Sequence, residues 1–196
     1  MSMKQLAKAV RLAFRDVAFP FRMPAGFAGD VNRTHPATIE PALINTTNPP
    51  TLYGIPAFIS TAGTANAVRM VITADGSATP SAPWGFFARP FPSQQQTATT
   101  ANAPASLSSS IPPVSGQVDV LRAGYIMGQM NPASAAVVKG GQVYVWAAAT
   151  TGSGATLHTQ GNLEQAANST NTLALTGCFF NGPADSSGVV ELSVNI

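Results

Sequence analysis

The sequence predicts an all-β fold, an antiparallel β-barrel or jelly-roll-like sandwich, carried behind an N-terminal amphipathic helical arm. Three observations lead there. From Ala37 onward, short apolar runs are separated by turn residues at the spacing of strands in sandwiches and barrels. Gly 17 and Pro 16 among 196 residues, with abundant Ser, Thr and Asn, favour tight turns over long helices. Only the first twenty-two residues sustain a helical period.

The arm comes first. At about 100° per residue, Leu6, Val10, Ala13, Phe14 and Val17 share one face of a helix. Lys4, Lys8, Arg11 and Arg15 occupy the opposite face, and Pro20 ends the hydrogen-bond ladder. Charges interrupt every stretch that could serve as a signal-peptide core. No stretch approaches the roughly 18–20 apolar residues of a membrane span. The helix could pack on its own domain or on a neighbouring subunit; a transit peptide or a membrane-surface helix are the further possibilities. Residues 1–22 hold Lys4, Lys8, Arg11, Arg15 and Arg22 against Asp16, a net +4, while residues 23–196 carry a net −2. The pI of 9.0 therefore belongs to the arm and does not make the body a nucleic-acid binder.

In the body, expected strands are Thr38–Ile44, Leu52–Ser60, Ala67–Thr73, Trp84–Arg89, Val118–Gly128, Gln142–Ala149, Leu173–Phe180 and Val189–Ile196. The joints are Asn48-Pro49-Pro50, Asp75-Gly76, Asn131-Pro132, Gly140-Gly141 and Asn181-Gly182. Each supplies a fixed φ or a residue tolerant of positive φ. A short helix-like stretch lies near Asn162–Asn168. Residues 93–116 have no charge and no aromatic ring, so they form a long low-complexity loop within a domain spanning 23–196.

Composition narrows the function. Charged residues are 9% of the chain, against about 25% in ordinary domains. A surface so poor in charge is weakly protected from association, and copies of itself or a partner are expected to cover it. A lone Cys178 excludes an internal disulfide framework and any Cys-pair zinc site. No catalytic or phosphate-binding motif is present, and no cofactor or metal is expected. His35 and His158 are read as surface or turn histidines without a local nucleophile or orienting acid. Cys178, inside an apolar run, is read as a small buried hydrophobe. The Asn-x-Ser/Thr triplets at Asn32, Asn45 and Asn168 carry no weight in a chain this rich in those residues.

The densest aromatic group, Trp84, Phe86, Phe87 and Phe91 around Arg89, admits two readings. Strand alternation places Trp84 and Phe86 on one face and Phe87 on the other, so part of the group lines a core. The remainder would be an aromatic anchor for a partner. Candidate contact residues are thus Trp84, Phe87, Arg89 and Phe91, with Lys4, Leu6, Lys8, Val10, Arg11, Phe14, Arg15 and Val17 on the arm.

Several blocks together resemble a known family. They are Gly26-Phe27-Ala28-Gly29-Asp30-Val31 leading into Thr38-Ile39-Glu40-Pro41, Pro49-Pro50-Thr51-Leu52-Tyr53-Gly54, and Gly85-Phe86-Phe87-Ala88-Arg89-Pro90-Phe91-Pro92. Then come Val118-Asp119-Val120-Leu121-Arg122-Ala123-Gly124-Tyr125-Ile126, Lys139-Gly140-Gly141-Gln142-Val143-Tyr144-Val145, and the segment from Gly182-Pro183-Ala184-Asp185 to Asn195-Ile196. In this order they resemble the structural cement, or capsid decoration, proteins of tailed bacteriophages. The helix at 1–22 and the length of the 93–116 loop depart from that pattern.

The resemblance implies a non-enzymatic β-barrel protein on the outer capsid surface of the virion, made in the host bacterial cytoplasm. Its partners would be the major capsid protein and further copies of itself, as a dimer or trimer. It implies no direct nucleic-acid contact and no membrane. Two other classes stay open: a receptor- or glycan-binding β module of a phage tail or fibre, and a glycan hydrolase whose acids meet only on folding.

Overall fold

The computed structural model describes residues 26–32, 36–44, 49–59, 67–69, 83–90, 112, 116–132 and 137–196. The arm at 1–22 lies outside them, as do His35, Phe91 and the 93–116 loop apart from Pro112 and Gly116. The described residues form one sheet of nine strands. These are β1 (Thr38–Ile44), β2 (Pro56–Ile59), β3 (Ala67–Arg69), β4 (Pro83–Ala88) and β5 (Gln117–Gln129), then β6 (Gln142–Trp146), β7 (Leu163–Glu164), β8 (Thr172–Phe180) and β9 (Val189–Asn195). A short 3₁₀ turn, Gly154–Thr156, lies between β6 and β7.

All neighbours pair antiparallel except β1 with β3. The eight expected strands all contain a strand. The Leu52 run becomes regular only at Pro56, because residues 51–55 are bent, and the Gln142 run stops at Trp146. The helix-like stretch at Asn162–Asn168 is corrected. Leu163 and Glu164 form β7, pairing with Val145 and Tyr144, and residues 165–171 turn back into β8. Pairing partners distant in sequence outweigh the local helical preference of so short a segment.

The thirteen-residue β5 is the spine of the curled sheet. Its first half lies between β1 and β4, with Leu121 opposite both Ile39 and Phe86. Its second half pairs with β9, from Ala123 opposite Asn195 to Gln129 opposite Val189. The pairings β1–β3–β2–β4–β5 return to β1 and close one circuit. A second circuit runs β5–β9–β8–β6–β7 and returns to the end of β5 through a Met130–Leu163 bridge.

Two apolar clusters fill these curls. One holds Ile126, Val143, Val145, Leu163, Leu175, Phe180 and Leu192, joined by Phe58, Phe86 and Leu121. The smaller holds Ala42, Ile44, Tyr53, Ile55, Phe87 and Val120. Strict alternation along β5 cannot place both Leu121 and Ile126 in one cluster. A bulge at Arg122 resolves this: Thr38 faces Ala123 and Ile39 faces Leu121, leaving Arg122 as the extra residue that reverses the phase.

Candidate functional site

A second bulge changes the reading of the aromatic group. Gly85 faces Ala57 and Pro83 faces Phe58, so Trp84 is the extra residue on β4. Trp84 therefore packs beside the Phe87 cluster rather than sharing the face of Phe86, as simple alternation predicted. Its ring is half-buried and lies 3.8 Å from the Arg122 guanidinium carbon. Arg122 also approaches Glu40 at 3.6 Å and donates from Nη2 to the Ile196 carbonyl at 3.0 Å. Phe87 has no exposed surface and Arg89 is 6% exposed, so both are packing residues of their own chain. A side chain already enclosed on all sides has no area to offer a partner.

Arg89 is the centre of a clasp. The Gly26–Asn32 segment turns on Asp30, whose carboxylate accepts from the Phe27 N–H at 3.1 Å. It then docks on β5: Gly29 N–H donates to the Met127 carbonyl at 2.7 Å, and Met127 N–H donates to Asp30 at 2.9 Å. The Arg89 backbone N–H donates to the Gly29 carbonyl at 2.8 Å. Its guanidinium lies 3.4 Å from Asp30 Oδ1 and donates from Nε and Nη2 to the Ala28 carbonyl at 3.4 and 3.2 Å. The cation sits 5.6 and 5.2 Å from the ring centres of Phe27 and Tyr53, within cation–π range. Burial raises the Tyr53 phenol above its ordinary pKa; the Arg89 charge opposes that and Asp119 adds to it.

Gly54 completes the clasp. It holds φ +75°, and a Cβ there would lie 2.4 Å from the Met127 carbonyl oxygen and 2.6 Å from the Gly29 nitrogen. Only glycine allows that approach. Four of the sequence blocks, around Gly29, Gly54, Arg89 and Val120–Ile126, thus meet at one place. Nothing in the sequence paired Asp30 with Arg89, because they are far apart along the chain.

A second polar group was also missed. His158 Nδ1 and Glu164 Oε1 lie 2.7 Å apart, and Asn131 donates to the same oxygen at 2.6 Å. The Asn131 side-chain Oδ1 accepts from the Thr159 N–H at 2.8 Å, and the His158 ring stacks on Trp146 at 4.2 Å. His158 is therefore not a turn histidine without an orienting acid. Strand β7 brings Glu164 back beneath it, which a six-residue separation alone did not announce. A histidine held by a carboxylate needs a third, reacting group to do chemistry. The pair ties the 148–162 loop to β7.

Cys178 is fully buried, and burial pushes its thiol up to about 12. Among the described residues, no three His, Cys, Asp or Glu side chains gather where they could hold a metal. Exposed apolar side chains are instead Val138, Leu43, Phe179, Phe27 and Ile59, the first of them 71% exposed. Strand phase turns Leu43, Ile59 and Phe179 outward, while Phe27 and Val138 lie outside the strands.

A stapled β scaffold with internally matched charges and scattered outward apolar side chains defines a structural, contact-forming protein. Comparison makes the class definite. A family described as XM1 gp53 minor capsid protein matches residues 17–194. The chain belongs to that family, and its role is structural within a phage capsid. A chain of the solved structure "The capsid of Myoviridae Phage XM1" shares the fold, with a TM-score of 0.60 and 17% identity, over 91% of this chain and 95% of that one. No curated protein matches the sequence.

Proposed function

We propose that this capsid protein is a decoration, or cement, protein: it binds the outer surface of the shell and ties neighbouring major capsid subunits together. The observation that carries the proposal is membership of a capsid protein family across residues 17–194. Support comes from a chain with 9% charged residues and from ion pairs used inside the chain, at Arg89–Asp30 and Arg122–Glu40. Such a protein works by contact area repeated over many copies, and simultaneous contacts raise effective affinity. Binding the closed shell and not its ruptured form stabilises the closed shell by mass action.

The arm is the proposed anchor. Its apolar face, Leu6, Val10, Phe14 and Val17, would occupy a groove on a neighbouring subunit, with Lys4, Lys8, Arg11 and Arg15 over acidic residues. Trp84, half-exposed beneath Arg122, remains a contact candidate on the body. The test is thermal release of DNA from particles with and without the protein. Particles lacking it should assemble and release DNA at a lower temperature. Equal release temperatures would remove the cementing role.

A further inference from the structure

A cleft of about 190 Å³ lies against the clasp. It is lined by Pro41 of β1, Tyr53, Ala88 and Pro90 at the end of β4, and Gln117, Val118 and Asp119 of β5. That volume is below the about 300–1,000 Å³ of small-molecule sites and suits a single long side chain. Tyr53 belongs to both places. Arg89 lies 5.2 Å from its ring centre, and the Asp119 charge acts on its phenol.

Asp119 stands apart from the other described acids. Arg89 pairs with Asp30, and Arg122 with Glu40. Glu164 takes Asn131 and His158, Asp185 takes the Ser187 and Val189 N–H groups, and Glu191 takes Asn32 and Asn181. The Asp119 carboxylate, partly exposed in the cleft, has no hydrogen-bond or ion-pair partner among the described residues. Water serves it there, so what it offers is charge. Pro41, Pro90 and Val118 beside it form apolar walls on which the methylene stem of a basic side chain can lie.

We infer that Arg22 of the same chain occupies this cleft and pairs with Asp119, fastening the root of the arm to the body. The described chain begins at Gly26, and Phe27 lies 5.6 Å from the Arg89 cation. The arm therefore leaves the body one guanidinium away from Tyr53, the wall of the cleft. Four residues of extended chain cover about 13 Å, enough to carry Arg22 across. Pro24 biases Met23 toward extended backbone, and Pro20 separates Arg22 from the helix that carries Lys4, Lys8, Arg11 and Arg15. The short tether gives Arg22 a high effective concentration at Asp119, which the cations farther along the arm lack. A guanidinium also binds a carboxylate through two parallel N–H donors, as an ammonium does not. The pairing is independent of the decoration role and of what residues 1–17 contact.

Limited trypsin digestion of the full chain, followed by mass spectrometry, tests this. Trypsin must take the arginine side chain into its own pocket, so an occupied Asp119 cleft protects the Arg22–Met23 bond. The rate at Arg11–Leu12, in the same arm, is the internal reference. Asp119→Asn should raise the ratio of Arg22 to Arg11 cleavage about fivefold, as loss of a partly exposed ion pair predicts. Raising salt to about 1 M, where the Debye length is about 3 Å, should raise the same ratio in the native chain. The salt measurement uses no substitution, so it stands even if Asp119→Asn fails to fold. Diluting the native chain should leave the ratio unchanged, because the tether does not depend on concentration. The inference is overturned if a folded Asp119→Asn leaves the ratio unchanged or if salt does. It is overturned as well if dilution raises the ratio, which would put the arm of a second copy in the cleft.

Discussion

Gly54 and Gly140 share a backbone conformation and differ in what surrounds it, so one substitution made at both sites separates strain from crowding. Their φ values are +75° and +82°. Alanine at either is held in the left-handed region at a cost of about 1–2 kcal/mol. A less flexible unfolded chain offsets about 0.4–1 kcal/mol of that. Gly140→Ala meets nothing within 4 Å and should lose about 1 kcal/mol in all.

Gly54→Ala would set a methyl carbon 2.4 Å from the Met127 oxygen and 2.6 Å from the Gly29 nitrogen, the two atoms joined by the 2.7 Å bond that docks residues 26–32 on β5. Both are backbone atoms, so no side chain can swing away. Separating them forfeits that bond and strains Gly54 N–H to Phe87, at about 0.5–1.5 kcal/mol each. It also displaces the Asp30–Arg89 pair. The total loss should be about 3–4 kcal/mol. For a chain of this size each kcal/mol moves Tm by about 2–4 °C, so Gly54→Ala should melt roughly 10 °C lower and Gly140→Ala roughly 3 °C lower. Urea unfolding followed in parallel by circular dichroism and tryptophan fluorescence measures both variants. Unfolding free energies that agree within about 0.5 kcal/mol would refute the clasp as a tightly packed backbone contact.

Three further outcomes follow from named contacts. A double-mutant cycle of Asp30→Asn and Arg89→Met should show coupling of about 1–2 kcal/mol in urea unfolding, since Arg89 is buried while Asp30 is partly exposed; additive single effects would mean the pair contributes no interaction of its own. Cys178, pushed up to about 12 by burial, keeps its proton in the fold where the unfolded thiol, at 9.0, loses it. Its stabilising contribution is therefore present below pH 9.0 and is lost between there and about 12. Across that window the native chain should lose up to about 1.4 kcal/mol per pH unit more than Cys178→Ala, and parallel curves would contradict this. On the arm, Phe14→Ala should lower capsid occupancy more than Lys8→Ala, because exposed ion pairs contribute only about 0–1 kcal/mol each. Unchanged binding to bare shells after deletion of residues 1–22 would show that the arm is no anchor.

The β class, the strand positions and the absence of a local catalytic motif were all legible in the residues themselves. They depend on short-range rules: alternation, turn chemistry at Gly, Pro and Asn, and the rarity of charge. Strand phase was not legible. One extra residue at Trp84 and another at Arg122 reverse which side chains face inward, and a bulge is defined by register against a distant strand. For that reason Trp84 left the side of Phe86, and Leu121 and Ile126 came into one core.

The polar groups divide in the same way. Asp30 with Arg89 and His158 with Glu164 look like isolated residues in sequence, because an ion pair or hydrogen bond needs proximity in space and not along the chain. Arg89 and Phe87, which composition offered as contacts for a partner, are consumed by the chain's own packing, since aromatic rings and a guanidinium satisfy an interior as readily as an interface. The sequence by itself determined an all-β, charge-poor chain with a capsid protein's arrangement of blocks. Only tertiary pairing decided which faces that chain keeps for itself and which it leaves open, because register and closure are properties of strands meeting one another.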